Sequence, residues 1–157
     1  MTNLLKALAA FIISIGAASA ETIQCNFKPA GANGDWIAED VTIELVPSGK
    51  RMITGLPEFS SITVTDRIIR MNIGSSTEAV LQQITENRIV FRWSVPGFQD
   101  EEGTKLLRLR QKSYDLSTRL TILTKTNRAL ITTTSNARKT WGDSTSINAR
   151  GYCTFLD

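Results

Sequence analysis

The chain has 157 residues, two cysteines and no histidine, and its 18 basic and 15 acidic side chains leave a net charge of +3. Without histidine there is no Ser-His-Asp or Cys-His catalytic set, and the commonest metal ligand is missing. The net charge is modest, so any preference for anions has to come from where the cations sit rather than how many there are.

At the N-terminus, Lys6 precedes an apolar stretch from Ala7 to Ala17, followed by Ala18-Ser19-Ala20, the small-x-small pattern that a signal peptidase cuts after. The apolar run is shorter than the roughly 20 residues that span a bilayer. Residues 1–20 therefore read as a cleaved signal peptide, and residues 21–157 as a single mature domain with no transmembrane segment. The mature chain has no Asn-x-Ser/Thr acceptor site, which suits a bacterial periplasm or culture medium.

From Glu21 onward the apolar residues recur with period two, the signature of strands with one face inward. Ile23, Cys25 and Phe27 form the first run, and Val41, Ile43 and Leu45 the second. Ile69, Met71 and Ile73 continue the pattern, as do Ile89, Phe91, Trp93 and Val95, then Leu107 and Leu109, then Leu120 and Ile122. Ile147, Ala149, Gly151, Cys153 and Phe155 form the last run. The one helical turn the sequence suggests lies at Thr77–Leu81. Turns are expected at Pro47-Ser48-Gly49, Gly55-Leu56-Pro57, Glu86-Asn87, Pro96-Gly97 through Gly103, Ser117-Thr118, Thr126-Asn127 and Trp141-Gly142-Asp143. Many short strands at regular spacing indicate an all-β sandwich or barrel.

Cys25 lies in the first mature strand and Cys153 in the last, and two thiols in an oxidising compartment usually pair. A disulfide needs Cα atoms within about 7 Å, so the first and last strands should be neighbours. In a meander of hairpins that adjacency closes the sheet. The expectation is an antiparallel up-and-down barrel of about eight to ten strands, its first and last strands joined by Cys25–Cys153; the alternative is a β-sandwich with adjacent termini.

Candidate chemistry is sparse. Asp35, Glu39 and Asp40, and separately Asp100, Glu101 and Glu102, are carboxylate groups of the type glycoside hydrolysis uses, but both fall where solvated loops are expected. The second group lacks the spaced ligands of a calcium loop. No glycine pattern for cradling phosphates occurs, and no cofactor or metal is predicted.

Charge is distributed unevenly. Residues 21–66 hold three basic and seven acidic side chains, whereas residues 103–157 hold ten and three. If Ile89, Phe91 and Trp93 point inward, Arg88 and Arg92 point outward; if Leu107 and Leu109 point inward, Arg108, Arg110 and Lys112 point outward. A hairpin through the Pro96–Gly103 loop would set these two basic rows side by side. Such a face suits an anionic protein, a glycan or a lipid head group. Nucleic acid is disfavoured, since these strands offer no aromatics on the outward phase. The same outward cations interrupt the apolar band that an outer-membrane barrel requires.

The sequence thus predicts an exported, non-enzymatic binding or inhibitor-like module of the bacterial cell envelope, periplasmic or secreted. The alternatives are a lipocalin-like carrier of a small apolar ligand and a small carboxylate-based hydrolase.

Overall fold

The computed structural model describes residues 20–28, 36–52, 57–99, 113–135 and 146–156. They form strands β1 (Glu21–Lys28), β2 (Asp40–Arg51), β3 (Pro57–Asp66), β4 (Thr77–Glu78), β5 (Val80–Ile84), β6 (Arg88–Gln99), β7 (Ser113–Leu123), β8 (Arg128–Ser135) and β9 (Ser146–Leu156), with one short helix, α1 (Arg67–Asn72). All pairings are antiparallel, and the sheet order is β4-β3-β2-β1-β9-β8-β7-β6-β5. The sheet curls into a nearly closed barrel. Its two edge strands are one extended segment: only Ala79 separates β4, which pairs with β3, from β5, which pairs with β6. The Ala79 N–H itself donates to the Ile62 carbonyl at 2.9 Å.

The predicted seam is present. Cys25 stands directly opposite Cys153 in the β1–β9 register, and the two are disulfide-bonded. The apolar phases read from the sequence point inward: Ile23, Cys25, Phe27, Val41, Ile43, Leu45, Ile89, Phe91, Trp93, Val95, Leu120 and Ile122 are all buried. Each fully buried large side chain contributes roughly 1.5–3 kcal/mol, which is why strand parity follows this set. An eight-to-ten-stranded barrel is just wide enough for such side chains to fill.

Several local expectations are corrected. Ile69, Met71 and Ile73 do not alternate along a strand. Residues 67–72 are helical because Asp66 caps them, its carboxylate accepting the Ile69 N–H at 2.7 Å; Ile68 and Ile69 are buried while Met71 and Ile73 are exposed. Thr77–Leu81 is not a helical turn but the β4–β5 bridge. Pro47-Ser48-Gly49 does not end β2. The register slips on both sides of Pro47, and Gly49 takes a φ of 74°, so the breaker residues make a bulged stretch within the strand. Pro96-Gly97 does the same in β6, between the pairs Val95–Leu116 and Phe98–Tyr114, with Gly97 at a φ of 68°. Ser117-Thr118 is not a turn but the middle of β7. The buried Thr118 hydroxyl bonds across the sheet to that of Thr133, at 3.1 Å, instead of to its own backbone.

Glu86-Asn87 is a tight hairpin turn, closed by Thr85 N–H to the Arg88 carbonyl at 2.9 Å. Thr126-Asn127 lies in the β7–β8 turn, with Asn127 at a φ of 54°. The expected strand at Leu107 and Leu109, the turn at Trp141-Gly142-Asp143, residues Gly55 and Leu56, and the proposed signal peptide up to Ser19 lie outside the described residues.

Candidate functional site

The barrel's exterior carries two walls of opposite net charge. On β2, β3 and β4 the exposed charged side chains are Asp40, Glu44, Glu58 and Glu78, with Lys50 and Arg51 at the far end of β2. On β6 to β9 the exposed cations are Arg88, Arg92, Arg119, Arg128 and Arg150, with Asp115 the exposed carboxylate on β7, and Lys28 continues the set at the end of β1.

The register fixes how the basic wall is laid out. One cross-strand row runs Arg88 (β6), Leu123 (β7), Arg128 (β8), Tyr152 (β9) and Asn26 (β1). The next runs Val90, Thr121, Leu130, Arg150 and Lys28. A third sets Arg92 directly opposite Arg119, with Val80 and Thr132 on either side. No carboxylate is a register partner of any of these arginines. The Arg92 guanidinium turns along the wall, its Nε donating to Ser117 Oγ at 3.2 Å. Asp115, further along β7, accepts the Gly97 N–H at 3.2 Å.

The sequence-predicted cations are therefore placed only in part. Arg88 and Arg92 are exposed on the outer face of β6, as parity requires. Arg108, Arg110 and Lys112 lie outside the described residues, and the strand paired with β6 is Ser113–Leu123. The cation facing Arg92 is thus Arg119, not a residue of the 107–112 stretch. Sequence reasoning passed over Arg119, Arg128, Arg150 and Lys28, although each sits on the polar phase of a strand: Arg119 precedes the inward Leu120, and Arg150 follows the inward Ala149.

Among the described residues, other places for chemistry are limited. Near α1 a cavity of about 10 Å³ is bordered by Trp36, Asp66, Ile68, Trp93, Thr118 and Thr133 among others. That is room for about one water. Burial pushes the Asp66 carboxyl above its ordinary value, against the opposing pull of the Ile69 and Ile68 N–H groups and the charges of Arg70 and Arg67. Glu39 and Asp40 are exposed, while Asp35, Asp100, Glu101 and Glu102 lie outside the described residues. Among the described residues no group of three or more His, Cys, Asp or Glu side chains could hold a metal ion, and no helix is long and apolar enough to cross a membrane.

Comparison of the chain with models of known protein families, with curated proteins and with solved structures gives no match. The class this structure defines is a nearly closed, disulfide-linked antiparallel β-barrel with an apolar core cluster inside.

Proposed function

We propose that this protein is an exported, non-enzymatic binding module of the bacterial cell envelope, periplasmic or secreted, that engages an anionic partner through its β6–β9 wall. The observation that carries the reading is the Arg92–Arg119 pair. Two arginines face each other across adjacent strands with no carboxylate in register, and like charges so placed oppose folding by tenths of a kcal/mol or more. An anion bound between them would turn that repulsion into attraction. The disulfide supports the address, since such bridges persist in oxidising compartments.

The carrier alternative has less support. A ligand site is usually some 300–1,000 Å³, and the cavity beside α1, bordered by the described residues Trp36, Trp93 and Thr118, is about 10 Å³. For a hydrolase, the one buried carboxylate among the described residues, Asp66, is already engaged as a helix cap.

The test is retention of the oxidised protein on an immobilised sulfated polysaccharide. Retention at low salt that is lost at high salt, and lost in Arg92→Ser/Arg119→Ser, is the expected result. Retention that ignores both salt and the substitutions would remove the basic wall from the account.

A further inference from the structure

The geometry points to an anionic phospholipid surface as the occupant of the basic wall, which lies down on it through the checkerboard of cations and apolar side chains over β7, β8 and β9. The inference rests on the anionic-partner reading and specifies the partner.

The distinguishing feature is the company the cations keep. Arg128 stands between Leu123 and Tyr152 in one row, and Leu130 stands beside Arg150 in the next. Leu123, Leu130 and Tyr152 are 45%, 43% and 62% exposed. Lys28 extends the second row beyond Arg150, and the exposed Lys125 sits in the turn that joins β7 to β8. A hydrated polyanionic chain would repay the cations but not the exposed leucines. At a lipid interface both are satisfied: the guanidinium and ammonium groups meet head-group phosphates, the leucines enter the acyl boundary, and tyrosine favours that depth.

Shape and charge agree. The outer wall of a barrel is convex and offers no groove to grip an extended chain, whereas a planar surface needs none. Asp40, Glu44, Glu58 and Glu78 lie on the strands of the other wall, where Lys50 and Arg51 at the end of β2 offset them only in part. The molecule is therefore electrically polarised, and an anionic plane would orient it with β7–β9 down and the acidic wall away.

The experiment is co-sedimentation of the oxidised protein with two sets of vesicles, phosphatidylcholine alone and phosphatidylcholine mixed with phosphatidylglycerol, alongside the polysaccharide resin. Three variants accompany the wild type: Arg128→Ser/Arg150→Ser, Leu130→Thr/Tyr152→Thr and, as a control on the opposite wall, Glu44→Gln. All change outward side chains, and far-UV circular dichroism checks that each folds. Binding should require phosphatidylglycerol. Each lost cation should weaken it about fivefold, the apolar pair should matter as well, and Glu44→Gln should bind as wild type. Retention on the resin with no vesicle binding would overturn the lipid assignment and leave the anionic-partner reading standing; failure on both would remove both. Vesicle binding indifferent to Arg128 and Arg150 would overturn the site. Concentration-dependent self-association weakened by Glu44→Gln would make the occupant the acidic wall of a second copy, and would equally overturn the proposal.

Discussion

Gly151 on β9 faces Phe27 on β1 and Ala129 on β8, and the Asn26 carbonyl and the Phe27 ring together occupy the space that a side chain at position 151 would need. A Cβ there would overlap the Asn26 carbonyl oxygen and come within 2.7 Å of the Phe27 ring. The ring can turn only against other core atoms, and the carbonyl belongs to the strand itself. Gly151→Ala should therefore destabilise the fold by about 1–3 kcal/mol or more, the usual cost of overpacking. Chemical denaturation with an unchanged slope and a lowered midpoint is the expected reading; a midpoint equal to wild type would mean that β1 and β9 are not packed this closely.

Two residues further along the same seam is the disulfide. Cys25 and Cys153 are separated by 128 positions, and closing so long a loop removes about 5 kcal/mol of chain entropy from the unfolded state in the loop-entropy model. The Cys153 N–H also donates to the Asn127 carbonyl at 2.8 Å, so the bridge sits where the β7–β8 turn meets β9. Cys25→Ser/Cys153→Ser should lower the melting temperature by on the order of 10 °C or more. Hydrogen exchange should quicken first along β1 and β9. Two alkylatable thiols in the native, unreduced protein would contradict the pairing.

Asp66 gives a pH dependence whose sign is fixed. Burial raises its pKa above the ordinary 3.8, so the folded protein holds this proton more tightly than the unfolded chain does. Its contribution to stability is full below pH 3.8, falls as pH rises through the elevated folded value, and is constant above it. Asp66→Asn keeps an oxygen to accept the Ile69 N–H and cannot ionise, so it should be more stable than wild type at neutral pH and lack this slope. Asp66→Ala removes the cap and should be about 1 kcal/mol less stable than the Asn variant. Urea titrations of the three proteins from acid to neutral pH test the ordering; a wild type whose stability climbs through this window relative to Asp66→Asn would reverse the assignment.

Strand parity carried most of what the sequence revealed. Ile23-Cys25-Phe27 and Ile89-Phe91-Trp93-Val95 put large apolar residues on one phase only, so their direction was unambiguous, and the cysteines then fixed which strands meet. Legibility failed where the two phases are chemically alike. In β8, Leu130 lies outward beside the inward Ala129 and Ile131, and in β3 the inward phase ends on a carboxylate, Asp66. Proline and glycine misled for a related reason: at Pro47–Gly49 and Pro96–Gly97 they accommodate an extra residue within a strand instead of turning the chain, a distinction set by the partner strand. The basic wall was half visible. Arg88 and Arg92 followed from parity, but their neighbour depends on which segment forms β7, and the Leu107–Leu109 alternation competed with Leu116–Leu120–Ile122 for that place.

The Arg92–Arg119 pair allows stability and binding to be moved in opposite directions by one change. The two residues are register partners on adjacent strands, both are exposed, and Arg92 leans away toward Ser117. Removing either charge should relieve cross-strand repulsion, so Arg119→Thr, which also suits a strand, should stabilise the fold by a few tenths of a kcal/mol up to about 1. Screening makes this gain salt-dependent: exposed charges are shielded over about 10 Å at 0.1 M ionic strength, so the difference between wild type and variant should shrink as salt is added. Sulfate should stabilise the wild type more than an equal ionic strength of chloride does, both through its general exclusion from protein surface and because an anion held between two guanidinium groups favours the folded state; Arg119→Thr should keep the first part and lose the second. Retention on a polyanion should fall in the same variant. A change that lost binding and stability together would point to general disruption of β7, whereas a gain in stability with a loss of binding is the outcome required of a wall held ready for an anion.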